Sequence, residues 1–210
     1  VQTLALLAME KERSEGTTSL LVMPTSLIYN WELEARKFTP KLKILIYTGT
    51  QRIKDSSQFG RYDLVLTSYG ITRLDIDILN EFYFNYIILD ESQAIKNPDS
   101  IISKAVVQLK SNHKLILTGT PVENGTMDLW SQMNFINRGL LGGQASFKKQ
   151  FLLPIEKKND KDKILKLNAM IKPFILRRLK SQVATDLPEK ITNVKYSDMT
   201  AAQEEVYEEV

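Results

Sequence analysis

Two adjacent carboxylates, Asp90 and Glu91, come directly after the apolar residues 86–89. A short apolar run bounded by charge is typical of a buried parallel strand, and ligands bind at the carboxyl ends of such strands in open α/β sheets. Two neighbouring acids repel each other unless a cation is close, so the pair favours a metal site. On its own, the same pattern also fits the start of an ordinary solvated loop.

A second short run, Lys114 followed by the apolar residues 115–117, continues into Thr118, Gly119 and Thr120. Residues 101–109, between the two runs, have helical spacing, which predicts a crossover between parallel strands. Asp90 and Thr118 are therefore expected at the ends of two strands that face the same crevice.

The elements that must position these residues alternate along the chain. Strands are predicted at 19–23, 43–47, 62–67, 86–89 and up to 118, and helices at 1–13, 26–38 with Ser26 as the cap, 71–82 and 101–109. After Pro121 the alternation stops: helices are predicted at 126–138 and 161–171, a helical protrusion over about 140–190, a strand at 191–196, and a last helix opened by Thr200. This order predicts a parallel α/β sheet covered by helices.

Composition excludes several classes of function. The 210 residues contain no cysteine, which excludes disulfides and thiolate catalysis, and no apolar run is long enough for a membrane helix. The net charge is only +3, but residues 145–180 carry eleven Lys or Arg against three acids. That basic segment is either a footprint for a phosphate backbone or a solvated lysine-rich loop.

One expected feature of a phosphate-binding site is missing from the sequence. None of the nine glycines is followed by lysine, so the loop G-x-x-x-x-G-K-[ST] does not occur. Taken from the residues alone, this counts against nucleotide hydrolysis.

The order of motifs nevertheless resembles the first motor lobe of the Swi/Snf-type DNA-dependent ATPases, which are helicase-like translocases. The segments that carry the resemblance are 1–7, 21–27, 66–69, 90–97, 118–124, 129–135, 173–178 with 187–190, and 200–207. The sequence starts directly after the place where the family's G-K-T would stand. The resemblance thus covers almost the whole chain and accounts for the missing loop.

The resemblance implies a RecA-like fold, with residues 1–210 as a helicase-like ATP-binding lobe and the protrusion within it. It implies that Asp90 holds Mg²⁺, that Glu91 is the catalytic base and that Gln93 senses the γ-phosphate of ATP. It also implies that Thr118, Gly119 and Thr120 lie at the ATP site, the two threonines coupling it to the DNA groove.

On the DNA side, the resemblance implies contacts with the phosphates of double-stranded DNA. The residues concerned are Pro24, Thr25, Ser26, Thr67, Ser68, Arg177 and Arg178. Capping of a helix also explains Ser26 alone well, and the two arginines could equally pack on an acidic surface of the protrusion. Trp31 has the spacing of a core residue rather than of a base-stacking platform, and His113 is expected in an exposed loop before a strand.

Further expectations concern the intact protein. A second ATPase lobe is expected after residue 210, and without it and the phosphate loop these 210 residues are expected not to turn over ATP. A sheet without the phosphate-loop strand could pair with another chain. The expected location is nuclear, or cytoplasmic and nucleoid-associated. Two alternatives stay open: another helicase-like ATPase, such as an RNA unwinder or a restriction motor, and a non-catalytic scaffold.

Overall fold

The structure is a computed structural model that describes residues 1–14, 16–119, 125–178 and 193–208. The chain divides into two compact units, Val1–Ile171 and Lys172–Val210. Within the described ranges, no helix is long and apolar enough to cross a membrane.

The first unit is built on a parallel sheet, which has five strands in the described part of the chain. They are β1 (Ser19–Met23), β2 (Ile44–Ile46), β3 (Leu64–Ser68), β4 (Phe84–Asp90) and β5 (Ser111–Leu117). Their spatial order is β2-β3-β1-β4-β5, and every neighbouring pair is parallel. The predicted parallel α/β sheet is confirmed, and the loops after its strands meet at one edge.

The described residues also form helices in both units. They are α1 (Gln2–Arg13), α2 (Ile28–Phe38), α3 (Tyr69–Leu74), α4 (Ile76–Glu81), α5 (Ile101–Gln108), α6 (Thr126–Ile136), α7 (Gln144–Phe147), α8 (Leu153–Lys158), α9 (Lys161–Ile171) and, in the second unit, α10 (Ala201–Glu208). Short 3-10 segments form at Thr25–Leu27, Ser56–Arg61, Ser92–Ile95 and Lys172–Phe174, and a π-helical turn, Lys148–Leu152, joins α7 to α8.

Both faces of the sheet are buried. Successive side chains of a strand point to opposite faces, and β1 shows this directly. Leu20 and Val22 belong to one hydrophobic cluster, whereas Leu21 and Met23 belong to a second cluster that includes residues of α1 and α2. All five residues of β1 are buried, so the strand before the turn at Pro24 is held rigidly from both sides.

Strand β5 is less enclosed than the central strands. It lies at one end of the strand order, and Leu115, Ile116 and Leu117 are only half-buried, whereas β1 and β3 are buried throughout. In the part of the chain that the structure describes, no strand pairs with the outer edge of β5. An uncovered strand edge is a place where a further strand can pair.

The prediction that Ser26 caps a helix is wrong. Thr25–Leu27 form a 3-10 turn, and α2 begins only at Ile28 with no side-chain cap. The N–H of Leu27 bonds to the carbonyl of Pro24 at 3.0 Å. Because this backbone bond closes the turn, the Ser26 hydroxyl is not needed as a cap.

The helix predicted over residues 71–82 is interrupted at Asp75. Asp75 has φ −114° and ψ 29°, outside the helical range, and separates α3 from α4. Its buried carboxylate accepts hydrogen bonds from Tyr47 and Arg52. These tertiary contacts override the helical periodicity of the sequence.

Smaller differences concern the second half of the chain. Residues 144–158 are helical, within the segment 140–190 for which a helical protrusion was predicted, although 161–171 was the only individual helix predicted there. Residues 193–196, part of the predicted strand 191–196, do not form a strand, and residues 191–192 lie outside the described ranges.

His113 is exposed as expected, but it lies within β5 and stacks on Tyr86, with ring centroids 4.6 Å apart. A protrusion over 140–190 stays a prediction, since 179–190 are not described.

Candidate functional site

Asp90 and Thr118 lie on neighbouring strands at the same edge of the sheet. Asp90 is the last residue of β4, its register partner on β5 is Leu117, and Thr118 follows directly. Thr118 is half-buried and Gly119 is exposed. The structure therefore brings the two predicted parts of the nucleotide site together. Thr120, the third member of that motif, lies outside the described residues.

Glu91 leaves β4 in a left-handed backbone conformation, with φ 50° and ψ 57°. This conformation costs a non-glycine residue about 1–2 kcal/mol, and such residues concentrate at functional sites. The Glu91 N–H donates to Asp90 Oδ1 at 2.9 Å, and Gln93 Nε2 donates to Glu91 Oε2 at 3.0 Å. Two hydrogen bonds thus link the three residues predicted to be catalytic.

Two aromatic residues that the sequence did not assign to the site also hold Asp90. Trp31 of α2 donates its indole N–H to Asp90 Oδ2 at 2.8 Å, and the Tyr69 hydroxyl donates to the Asp90 main-chain carbonyl at 2.9 Å. Burial, followed by the negative charges of Asp90 and Glu91, raises the pKa of Tyr69, so its hydroxyl stays protonated and remains a donor.

The role of Trp31 was missed because its spacing on α2 matches that of a core residue. It does pack, half-buried, against a core cluster. A partly buried indole N–H usually has an acceptor, however, and the sequence could not indicate which one. The need of the indole N–H for an acceptor was the one indication in the sequence that Trp31 has a polar contact.

The surroundings of Asp90 fit a magnesium ion that arrives with a nucleotide. Within the described ranges, no group of three or more His, Cys, Asp or Glu could hold a metal. Mg²⁺ keeps several waters and binds through one or two carboxylates together with substrate phosphates. Each Asp90 carboxylate oxygen accepts one hydrogen bond and has further lone-pair capacity for the ion or its water. Asp90 can therefore supply the protein's part of such a site.

The turn that follows the acids is attached to two helices through the Ile95 carbonyl. That oxygen accepts hydrogen bonds from Ser103 Oγ of α5 at 3.1 Å and from Ser131 Oγ of α6 at 2.5 Å. Ile95 itself is fully buried. Because α6 follows the Thr118 motif along the chain, the same helix is connected to both motifs.

The first turn of α6 is held by Glu156 from α8. Glu156 Oε1 accepts a hydrogen bond from the Thr126 N–H at 3.0 Å, and Gly125, with φ +133°, precedes it. A carboxylate is favourable at a helix N-terminus. Nearby, burial raises the pKa of Asp128, an effect that the positive charge of Lys96 opposes and the negative charge of Glu156 reinforces. No pattern in the sequence relates residue 156 to residue 126.

The turns predicted to contact DNA lie beside this site. Met23 and Ser68 are register partners on β1 and β3, so the two turns after these strands are adjacent. Pro24 is half-buried, whereas Thr25 and Ser26 are exposed. The hydroxyls of Thr25 and Ser26 have no hydrogen-bond partner within the described residues. Both are available to a ligand in solution.

The hydroxyls of Thr67 and Ser68 are used inside the protein. Thr67 is buried and donates to the Tyr47 carbonyl at 2.9 Å, and Ser68 Oγ accepts a hydrogen bond from the Ile71 N–H at 3.2 Å as the cap of α3. Arg177 and Arg178 are exposed and belong to the second unit.

Comparisons with known proteins agree with this α/β fold and cover almost the whole chain. The model of the SNF2-related domain matches residues 1–210. Among solved structures, the Sulfolobus solfataricus SWI2/SNF2 ATPase core in complex with double-stranded DNA superposes with a TM-score of 0.81 and 42% identity, covering 99% of this chain and 44% of that one.

Two curated relatives come from distant organisms. The putative ATP-dependent helicase/translocase YwqA of Bacillus subtilis is 38% identical over 216 residues, which cover 100% of this chain and 23% of that protein. The TATA-binding protein-associated factor MOT1 of Saccharomyces cerevisiae is 39% identical over 214 residues, which cover 94% of this chain and 12% of that protein. The chain thus spans a quarter or less of the length of these relatives, and it belongs to the SNF2-related domain family.

Proposed function

We propose that this chain is the first motor lobe of an ATP-dependent translocase on double-stranded DNA. The observation that carries the proposal is the order of strand ends along one sheet edge, where Ser68, Met23, Asp90 and Leu117 end neighbouring strands. The candidate DNA turns therefore lie beside the candidate nucleotide residues. Family membership supports the proposal, as does a relative named as a helicase/translocase.

On the nucleotide side, Asp90 would hold the Mg²⁺ of Mg·ATP, and Glu91 would take the proton from the attacking water. Gln93 would sense the γ-phosphate. The left-handed backbone at Glu91 and its hydrogen bond with Gln93 support this assignment, because they fix a carboxylate directly after the metal residue. Bound Mg²⁺ would neutralise charge on the phosphates.

Thr118, Gly119 and Thr120 would contribute to ATP binding, and the two threonines would connect it to the DNA groove. The register of Asp90 with Leu117 supports this for Thr118 and Gly119. The attachment of α6 to the Ile95 carbonyl gives the two motifs a common mechanical support.

On the DNA side, Thr25 and Ser26 would donate their exposed hydroxyls to phosphates, with Pro24 shaping their turn. Thr67 and Ser68 would act by holding the neighbouring turn, since both hydroxyls are engaged within the protein. Arg177, Arg178 and the lysines of residues 145–180 would add sequence-independent attraction. Phosphate contacts of this kind weaken steeply with salt.

For the intact protein we propose a second ATPase lobe after residue 210 that supplies an arginine finger, and action on DNA in the nucleus or nucleoid. The open edge of β5 would pair with a further strand, either from the same protein or from another chain. The 210 residues by themselves would not turn over ATP, since they contain no G-K-[ST] loop.

The test is ATP hydrolysis by the full-length protein in the presence of duplex DNA, single-stranded DNA or duplex RNA. Glu91→Gln should lower the stimulated rate by about 10²–10⁴-fold, because a general base is lost. DNA affinity should be kept. Glu12→Gln, which removes an exposed carboxylate from α1, is the matched control and should leave the rate unchanged.

Each alternative predicts a different result. Stimulation by RNA but not by DNA would indicate an RNA unwinder. Absence of hydrolysis by the full-length wild type with every nucleic acid would indicate a non-catalytic scaffold.

A further inference from the structure

We propose that Trp31 and Tyr69 are positioning residues that connect the two candidate DNA turns to the candidate magnesium residue, Asp90. The inference rests on the proposed function, because it assigns a task to residues that touch neither DNA nor nucleotide in that scheme. It depends on two hydrogen bonds whose donors lie on α2 and α3 and whose acceptors both belong to Asp90.

Trp31 provides the first connection. It lies one turn into α2, the helix that begins directly after the 3-10 turn containing Thr25 and Ser26. Its indole N–H donates to Asp90 Oδ2 at 2.8 Å, and the Glu91 N–H donates to Oδ1 at 2.9 Å. With a donor on each oxygen, the carboxylate cannot rotate freely. The directions left for a metal ion or its waters are therefore set partly by α2.

Tyr69 provides the second connection. It is the first residue of α3 and directly follows Ser68, which caps that helix. Its hydroxyl crosses from the end of β3 past β1 to the main-chain carbonyl of Asp90 on β4, at 2.9 Å. The side chain is 6% exposed, so little water competes for the bond. This contact fixes the backbone of Asp90, whereas Trp31 fixes its carboxylate.

The two bonds have a common geometry that packing alone does not require. Each donor lies in the first turn of a helix, next to a candidate DNA turn, and the two acceptors belong to the same residue. A displacement of either turn on DNA binding would therefore be transmitted to Asp90. By thermodynamic linkage, Mg·nucleotide binding would change DNA affinity by the same factor as DNA changes Mg·nucleotide affinity.

The test uses the full-length protein with Trp31→Phe and Tyr69→Phe, which remove one donor each and keep an aromatic ring. The readout is equilibrium binding of a fluorescent, non-hydrolysable ATP analogue, in EDTA and over a series of Mg²⁺ concentrations, with and without duplex DNA. Loss of a residue that orients a metal ligand typically lowers metal affinity by about 10–100-fold. We expect the half-saturating Mg²⁺ concentration to rise by roughly 10-fold at the lower end of that range. Affinity in EDTA should be unchanged, and the effect of DNA on Mg·nucleotide affinity should decrease in both variants.

Tyr47→Phe is the matched control. It also removes a buried tyrosine hydroxyl that donates to an aspartate, but that aspartate is Asp75, whose carboxylate bonds to Tyr47 and Arg52 and not to Asp90 or its neighbours. The control should lower thermal stability and leave the Mg²⁺ dependence as in the wild type. If Trp31→Phe unfolds, 3-benzothienylalanine at position 31 replaces the N–H by sulfur and keeps the shape of the indole.

The outcomes separate this inference from the proposed function. Folded variants with the Mg²⁺ dependence of the wild type would overturn the inference, even if the wild type hydrolyses ATP with DNA. Equal losses of affinity in EDTA and in Mg²⁺ would also overturn it, because the two residues would then only support the fold. A wild type that binds no nucleotide would instead overturn the proposed function.

Discussion

The Tyr47 hydroxyl donates a hydrogen bond of 2.9 Å to Asp75 Oδ2, joining the residue after β2 to the break between α3 and α4. The Arg52 guanidinium donates to the other carboxylate oxygen at 2.8 Å, and the Arg52 and Asp75 side chains are only 8% and 2% exposed. The carbonyl of Tyr47 accepts the Thr67 hydroxyl. The side-chain network therefore joins the end of β2 to the break between α3 and α4, whereas the bond to Thr67 is made by the Tyr47 main chain and is kept in Tyr47→Phe.

The first prediction concerns the stability contributed by Tyr47 at alkaline pH. Burial, then the hydrogen bond and negative charge of Asp75, raise the pKa of Tyr47 from 10.0 to about 12. The folded state thus holds the phenolic proton more tightly than the unfolded state. The contribution is complete below pH 10 and is lost as the pH rises through about 12.

Tyr47→Phe should accordingly be less stable than the wild type by about 1–2 kcal/mol near neutral pH, since a hydrogen bond to a charged group is lost. The difference should shrink as the pH rises above 10, which urea unfolding at a series of pH values measures. A difference that stays constant with pH would contradict the assignment.

The second prediction concerns the backbone of Glu91. At φ 50°, glycine is free of the steric cost that alanine has. Glu91→Gly should therefore unfold with a free energy about 1 kcal/mol higher than Glu91→Ala, although both lack the carboxylate. Thermal unfolding of the two variants tests this, and equal stabilities would mean that the left-handed conformation is not retained. The same pair of substitutions at Lys166, an exposed residue in the middle of α9, should show the reverse order, because glycine weakens a helix interior.

The third prediction concerns the contact between α8 and α6. Glu156→Ala removes the acceptor of the Thr126 N–H and should destabilise the first turn of α6 by about 0.5–2 kcal/mol, as loss of a helix cap does. Hydrogen exchange of peptides from α6 should become faster. Glu156→Gln keeps an oxygen acceptor and should have the smaller effect. Equal exchange in the two variants and the wild type would show that the bond does not hold the turn.

The fourth prediction distinguishes the hydroxyls of the two candidate DNA turns. Replacing Thr25 by Val and Ser26 by Ala should weaken duplex binding with little effect on stability, because both hydroxyls are exposed. The salt dependence should stay nearly the same, because it is set by the Lys and Arg charges that displace counterions and not by neutral hydroxyls. Thr67→Val should lower thermal stability and leave duplex binding little changed, since its buried hydroxyl donates to the Tyr47 carbonyl. Anisotropy of labelled duplex DNA and thermal unfolding measure the two effects. If only Thr67→Val lost DNA affinity, Thr67 would be the residue that contacts DNA, and Thr25 and Ser26 would not.

Patterns of near-neighbour residues were sufficient to predict which strand ends lie together. The apolar run before Asp90 and the one before Thr118 predicted two adjacent strand ends, and the register of Asp90 with Leu117 agrees. The same reasoning misplaced Ser26, whose capping propensity was overridden by a backbone hydrogen bond between Leu27 and Pro24. Local preferences are small compared with the contacts that close a turn.

What the sequence determined by itself is the α/β class, the strand ends that carry the acids and threonines, and the motif order that marks the family. Those features depend on residues close together in the chain, where periodicity and spacing are informative. The tertiary structure alone decided that Trp31 and Tyr69 meet on Asp90, that Glu156 holds the start of α6, and that Thr67 faces inward while Thr25 faces solvent. These pairings join residues 21 to 59 positions apart, or depend on how one strand is buried by its neighbours. Side-chain partners at such separations are selected by packing, which no local pattern encodes.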